Sequence, residues 1–351
     1  LTLSSTLWNP VAVAILLIQK LYTATEESVM KIVVLDGYTL NPGDLSWKGL
    51  EALGEVKVYD RTPFDEKTII ERAQGAEIVL TNKTPLSKTA IESLKNLRYI
   101  GVLATGYNIV DTESAAARGV PVTNIPTYGT FSVAQMAMAH ILHFCHHVKE
   151  HSDTVMAGDW AAGEDFCYWN FPLIELAGKT MGIIGFGRIG RALGKMADAF
   201  GMKVLAHDVY QGNSPDWEGF RFTSIEELLQ ESDFVSLNCP LTPENTGFIN
   251  STSLKTMKKS AFLVNVSRGP LIVAEDLAAA LKNGDIAGAG LDVLAAEPPE
   301  KDNILYGAPN LTVTPHIAWA TLDARSRLMK TAVENVKVFL DGTTRNSVNG
   351  V

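Results

Sequence analysis

Four residues in the last third of the chain carry groups that do chemistry: Arg268 in NVSRG, Asp292 and Glu297 in LDVLAAEP, and His316 in TPHIAW. Each follows a short apolar run, so each is expected at the C-terminal end of a strand, where ligands bind in open α/β sheets. Arg268 offers a carboxylate two parallel hydrogen bonds and so fixes its orientation, as the point charge of a lysine does not. His316 has the titration range suited to moving a proton near neutral pH. A carboxylate partner such as Glu297 favours the protonated ring, ready to donate to a carbonyl oxygen. Taken singly, a structural salt bridge explains Arg268 or Glu297, and a buried, satisfied ring explains His316. Together, a cation, an acid and a histidine at successive sheet ends read as a reaction site.

The stretch that must position them is Lys179 to Asp208, KTMGIIGFGRIGRALGKMADAFGMKVLAHD. An apolar run, Met181 to Ile184, enters Gly185, Gly187 and Gly190, a helical pattern runs from Arg191 to Phe200, and a second strand ends at Asp208. This is the order a dinucleotide needs: Gly185 permits the tight turn, Gly187 lets the pyrophosphate approach the backbone, and Gly190 lets helix and strand pack closely. The phosphates then sit on unpaired N–H groups at the positive end of the helix dipole. Asp208 accepts from ribose hydroxyls and repels a 2′-phosphate, and Val209 and Tyr210 bring no cation beside it, which predicts NAD rather than NADP.

A chain of 351 residues suffices for two domains of ordinary size. With 46% apolar and 20% charged residues it reads as a soluble globular protein, and a formal charge of −9 leaves no basic footprint for nucleic acid. Cys145, Cys167 and Cys239 are scattered and odd in number, which suggests neither a disulfide framework nor a zinc motif and fits a reducing cytoplasm. Val11 to Ile18 is apolar but lacks a basic flank and is too short to span a bilayer, so residues 1–29 are read as an upstream extension outside the fold, and no membrane partner is expected.

From Met30 to Asn124 the strands KIVVLD, VKVYD, EIVLTN, YIGVLA and GVPVTN alternate with helical patterns such as Glu66 to Ala73 and Thr89 to Leu97. That predicts a separate α/β domain with a parallel sheet. A long apolar helix, Phe131 to Val148, follows. After Asp208 come DFVSLNCP, AFLVNVS, IAGAGLDV and LTVTPH as further strands of the cofactor sheet, then a last helix from Asp323 to Leu340. His140, His143 and His147 share a face of the long helix at the spacing of a metal site, but no carboxylate or thiol completes the set, and no metal is expected. Lys83 in TNKTPL reads as an exposed loop lysine, with contact to a substrate as the sharper alternative.

With LATGYNIVD, GFGRIG, NCPLTPENTGFIN, NVSRGPLIV, LDVLAAEPP and TPHIAWAT in order between Met30 and about Asn346, the sequence resembles the D-isomer-specific 2-hydroxyacid dehydrogenases, nearest the glycerate dehydrogenase and hydroxypyruvate reductase branch. The resemblance implies an α/β fold of two doubly wound parallel-sheet domains. A Rossmann NAD-binding domain, 126–316, is inserted into a discontinuous flavodoxin-like substrate domain, 30–125 and 317–351, with hinges near Ile125 and His316. It implies Arg268 as carboxylate anchor, His316 as acid/base and Glu297 as its partner. Asp292 is implied at the nicotinamide end, Arg188 and Ile189 at the pyrophosphate, and Cys239 and Pro240 beside the adenosine half. Val266 and Thr105 fall on positions that touch cofactor or substrate, and Ala104, Thr105 and Gly106 share the substrate carboxylate with Arg268. The implied reaction moves a hydride between NADH and C2 of a small 2-keto acid, hydroxypyruvate or glyoxylate first, in a homodimer whose interface involves the long helix. Trp160 and Trp169 are implied either in that interface or reaching to the neighbouring cleft. The alternatives are a dehydrogenase for another small 2-keto acid and an NAD-sensing corepressor-like binding protein on the same fold.

Overall fold

The computed structural model describes residues 29–351, so all but Val29 of the upstream segment expected at 1–29 lies outside the described residues. The chain forms two compact units. One takes in the described residues up to Pro126 together with Leu328–Val351, and the other is Thr127–Arg327. The second crossing therefore falls at Arg327, inside the last helix, rather than at His316.

In the first unit, β1 (Lys31–Val34), β2 (Glu55–Val58), β3 (Ile78–Thr81), β4 (Tyr99–Val102) and β5 (Val122–Thr123) form a sheet of order β2-β1-β3-β4-β5. All its pairs are parallel. β3 and β4 are buried along their whole length, as strands covered on both faces must be, and their sequences IVLT and YIGV are apolar runs rather than alternations. The helices α1 (Lys48–Glu51), α2 (Glu66–Ala73), α3 (Lys88–Ser93) and α4 (Thr112–Ala117) connect these strands. Side chains cap three of them: Asp65, Ser87 and Asp111 accept the N–H groups of Thr68, Ala90 and Ser114. The order reverses between β1 and β3. There the Asp36 carboxylate accepts the backbone N–H groups of Asn82 at 2.7 Å, Lys83 at 2.6 Å and Thr84 at 2.7 Å.

The second unit opens with α5 (Thr130–His146), α6 (Val148–Ala157) and α7 (Asp159–Ala162). Its sheet is built from β6 (Thr180–Ile184), β7 (Lys203–His207), β8 (Arg221–Phe222), β9 (Phe234–Leu237), β10 (Phe262–Asn265), β11 (Gly288–Leu291) and β12 (Leu311–Val313), in the order β12-β11-β10-β9-β6-β7-β8. Counted from β6 this is the doubly wound order, with the switch between β6 and β9. The helices α8 (Arg188–Ala199), α9 (Ile225–Glu231), α10 (Ser251–Thr256) and α11 (Ala274–Asn283) are the crossovers, and α12 (Leu322–Leu340) closes the chain.

α5 gives much of its apolar surface to its own unit. Its Ala134, Ala137, Met138, Ile141 and Phe144 lie in the unit's own core with Leu193, Ala197 and Phe262. The apolar side chains left exposed lie at its first turn and on the segment after it, including Phe131, Met156, Trp160, Phe166 and Trp169. No helix among the described residues is long and apolar enough to cross a membrane.

Candidate active site

The glycine turn after β6 is held by close contacts at Gly185 and Gly190 and stays open at Gly187. Gly185 has φ +92°, and a Cβ there would lie 2.4 Å from the backbone nitrogen of Cys239, so the glycine serves both the turn and the close approach of the β9 loop across the switch point. A Cβ on Gly190 would stand 2.2 Å from the carbonyl oxygen of Gly185, which makes this the helix-to-strand contact that the spacing predicted. Gly187 meets nothing within 4 Å on that side. It is the N-cap of α8 and no side chain caps the helix, so the first-turn N–H groups beside Arg188 and Ile189 are left for an anion. α8 buries Gly190, Leu193, Gly194 and Ala197, one stripe at helical spacing, and turns this end toward the crevice at the switch point.

Asp208 follows β7 and is bonded to the same turn. One carboxylate oxygen accepts from the Phe186 N–H at 2.7 Å and the other from the Tyr210 N–H at 3.0 Å. A cation does come near this loop, from a place the local sequence did not indicate: Arg191 donates to the carbonyls of Gly212 and Asn213 at 2.7 Å each and lies over the Phe186 ring. Both of its terminal nitrogens are committed there.

Arg268 is exposed and caps a short 3-10 turn, Gly269–Leu271. Its Nη1 donates to the Ser267 carbonyl at 2.7 Å, and the Ser267 hydroxyl donates to the Cys239 carbonyl at 2.5 Å, tying the Arg268 turn to the β9 loop. Val266 is buried beneath it, and Pro240 is exposed. A Cβ on Gly269 would fall 2.0 Å from the carbonyl carbon of Leu294, so only glycine lets the loop carrying Glu297 lie against the loop carrying Arg268. Tyr128 was not expected here. Burial raises its phenol pKa to about 12, with the nearby Arg268 charge opposing, and its ring meets Trp319 edge-on at 6.2 Å. It lies 140 residues before Arg268, and no motif links the two.

His316 Nδ1 is 2.6 Å from Glu297 Oε2, while Glu297 Oε1 accepts from the Leu294 N–H at 3.1 Å. With Nδ1 donating to the carboxylate, Nε2 is the ring nitrogen left for a ligand. The His316 backbone is left-handed, φ +52°, a conformation that costs a non-glycine residue roughly 1–2 kcal/mol. Asp292 holds it there. The Asp292 carbonyl accepts the His316 N–H at 2.8 Å. Its carboxylate, with the residue 1% exposed, accepts from the Thr314 hydroxyl at 2.6 Å, the Ile317 N–H at 2.9 Å and the Ala318 N–H at 2.8 Å. These bonds tie Asp292 to the loop that carries His316, so its carboxylate fixes the residues that follow β12. In the first unit, the Thr105 hydroxyl donates to the Ile125 carbonyl at 2.9 Å, and Asn124 donates to the Thr105 carbonyl at 2.7 Å, fixing the 104–106 turn.

His140 leaves the histidine face expected of it. It is buried, Nδ1 lies 2.8 Å from the Thr312 hydroxyl, and its ring fills the space above Gly290. Burial lowers its pKa, against the Asp292 charge and together with His143. The unfolded chain therefore takes up this proton near the ordinary value of about 6.5, before the folded protein does, and stability falls as pH drops below that point. In urea titrations the advantage of wild type over His140→Gln is expected to shrink between neutral and mildly acid pH. Parallel curves would contradict this.

A model of the D-isomer specific 2-hydroxyacid dehydrogenase NAD binding domain matches residues 138–318, about half of the chain. The chain belongs to this family. Among relatives of this dehydrogenase, a hydroxypyruvate reductase of Blautia hydrogenotrophica is 54% identical over 91% of this chain and 100% of that protein. A glycerate dehydrogenase of Methylorubrum extorquens is 39% identical over 91% of this chain and 98% of that protein. The solved structure of an acyclic imino acid reductase in complex with NADPH and D-Arg superposes with a TM-score of 0.78 at 30% identity, covering 91% of this chain and 100% of that one. This dehydrogenase is therefore an oxidoreductase of the 2-hydroxyacid family that uses a nicotinamide cofactor.

Proposed function

We propose that this dehydrogenase reduces hydroxypyruvate, with glyoxylate as a second substrate, uses NADH in preference to NADPH, and works as a homodimer. The observation that carries the chemistry is the His316–Glu297 pair at 2.6 Å, on a loop tied down by Asp292. The open side of Gly187 and the uncapped start of α8 fit a pyrophosphate, with Arg188 and Ile189 beside it. When bound, the reduced nicotinamide supplies the hydride that C2 of the keto acid receives. Arg268 binds the substrate carboxylate and fixes which face of C2 is presented. His316 gives a proton from Nε2 to the carbonyl oxygen, while Glu297 holds Nδ1 and balances the charge of the ring. In the reverse direction His316 accepts the hydroxyl proton.

The branch rests on the hydroxypyruvate reductase and glycerate dehydrogenase relatives. NADH rests on Asp208, whose carboxylate would meet a 2′-phosphate at close range, and on Arg191 being spent on two carbonyls. The NADPH-bound imino acid reductase is the counterexample in the same fold. The homodimer rests on the exposed aromatic stretch after α5, with Met156 83% and Phe166 89% exposed, a patch that a second copy would cover. Sedimentation at twice the chain mass tests it.

The direct test is oxidation of NADH and of NADPH with hydroxypyruvate, glyoxylate, pyruvate and phenylpyruvate, in wild type and Asp208→Asn. Hydroxypyruvate with NADH is expected to give the highest kcat/KM, and the variant to lose about tenfold in its preference for NADH, the size of one charge-assisted contact. Preference for a bulkier acid would reject the substrate, and equal use of NADPH by wild type would reject the cofactor assignment.

A further inference from the structure

Away from the reaction site, the elbow between α5 and α6 gathers three metal-ligating side chains. His143 stands in the last turn of α5, His147 is the residue that joins α5 to α6, and Glu150 lies in the first turn of α6. One ligand atom from each comes within 4.8 Å of the other two, and all three residues are half-buried. The sequence pattern put the set on one continuous helical face and found no carboxylate for it. The helix instead breaks at His147, with φ +46° and ψ +46°, and this break brings Glu150 back onto His143, Oε1 to Nε2 3.7 Å.

A further observation points to a ligand. The other oxygen of Glu150, Oε2, is buried and has no hydrogen-bond partner among the described residues, an arrangement that costs about 1–3 kcal/mol unless something binds there. The His147 ring is fixed from behind, stacked on Phe171 with centroids 4.2 Å apart, and the His143 ring meets Phe144 edge-on at 5.3 Å.

We propose that His143, His147 and Glu150 form a binding site for a borderline divalent transition-metal ion of the Zn²⁺ type, with water in the fourth position, which clamps the α5–α6 elbow. Two imidazoles and one carboxylate suit Zn²⁺ and its neighbours, whereas Mg²⁺ and Ca²⁺ demand oxygen donors. With ligand bonds of about 2.0–2.2 Å, tetrahedral donors lie about 3.3–3.6 Å apart, so these three side chains must rotate inward from their present spacing to close on an ion. The site is remote in sequence from Arg268, Glu297 and His316, and its role is to stiffen the elbow rather than to take part in hydride transfer.

The test is calorimetric titration of chelator-treated full-length protein with Zn²⁺ and, separately, Mg²⁺ at neutral pH, with thermal unfolding in parallel. The variants are His143→Asn, Glu150→Gln and His147→Asn; asparagine tolerates the left-handed backbone, so the last removes the imidazole without adding strain. Wild type is expected to take up one Zn²⁺ equivalent and no Mg²⁺ at this site and to melt at a higher temperature with Zn²⁺. Each variant should bind at least about tenfold more weakly and lose the thermal shift while keeping its turnover. Co²⁺ should give the visible spectrum of a tetrahedral nitrogen and oxygen site in wild type alone. Zn²⁺ binding that is absent in wild type, or unchanged in all three variants and hence located elsewhere, would overturn the proposal.

Discussion

Exchanging His316 for glutamine is expected to lower kcat for keto-acid reduction by about 10²–10⁴-fold, the range that a positioned general acid contributes. Glutamine keeps the size and a hydrogen-bonding end but has no proton to give. Because the loop is fixed by the Asp292 carbonyl and by three donors to the Asp292 carboxylate, the exchange should leave the backbone, and with it cofactor affinity, close to wild type. Both kcat and kcat/KM should therefore fall together, as they do when an interaction made only in the transition state is removed. Steady-state rates with fluorescence titration of NADH give all the numbers. A loss under tenfold in kcat would remove His316 from the proton transfer. Asp292→Ala should mimic much of the defect without touching the ring, because it releases the Thr314, Ile317 and Ala318 donors together.

Removing the guanidinium by Arg268→Ala should cost about 2–5 kcal/mol of transition-state stabilisation, or roughly 30- to 5,000-fold in kcat/KM, the usual range when one partner of a hydrogen-bonded charge pair is truncated. Among the described residues one of its terminal nitrogens is hydrogen-bonded, to the Ser267 carbonyl at 2.7 Å, which leaves the other for a carboxylate. Arg268→Lys should recover only part of the loss, since a lysine keeps the charge without the paired geometry. The discriminating substrate is the methyl ester of the same keto acid. Wild type should reject it strongly, and Arg268→Ala should treat acid and ester nearly alike. If the variant lost as much on the ester as on the acid, Arg268 would be supporting its loop rather than holding a carboxylate.

Spacing within a few residues makes part of this site legible in the chain, whereas contacts between distant segments leave no such trace. Gly185, Gly187 and Gly190 are legible because each meets a separate geometric demand within six residues, and the structure finds those demands at Cys239, in open space and at Gly185. The pairing of His316 with Glu297 was legible because both follow strands of one sheet. The sequence position of Asp292 gives its nearness to the crevice but not the three donors that take up its carboxylate. Tyr128 beside Arg268 left no local signature at all. The helix at Phe131 is legible, but the surface that covers its apolar face is not, because periodicity reports that a face is buried and not by what. His147 shows the sharpest limit: a helical wheel assumes an unbroken helix, and one left-handed residue was enough to bring Glu150 into the set in place of His140.

Asp36 bears on how many dinucleotides one chain can take. Both sheets reverse their strand order, and each reversal opens a crevice of the kind that accepts phosphates. At β6 and β9 that crevice offers bare N–H groups and the uncapped end of a helix. At β1 and β3 the corresponding amides, on Asn82, Lys83 and Thr84, are already saturated by a carboxylate from the chain itself. The first unit is in this sense self-liganded: an incoming phosphate would find its donors taken and a negative charge in residence. Two like-wound sheets are thereby made unequal by one side chain, and the crevice at β6 and β9 is the one whose amides stay open to a phosphate.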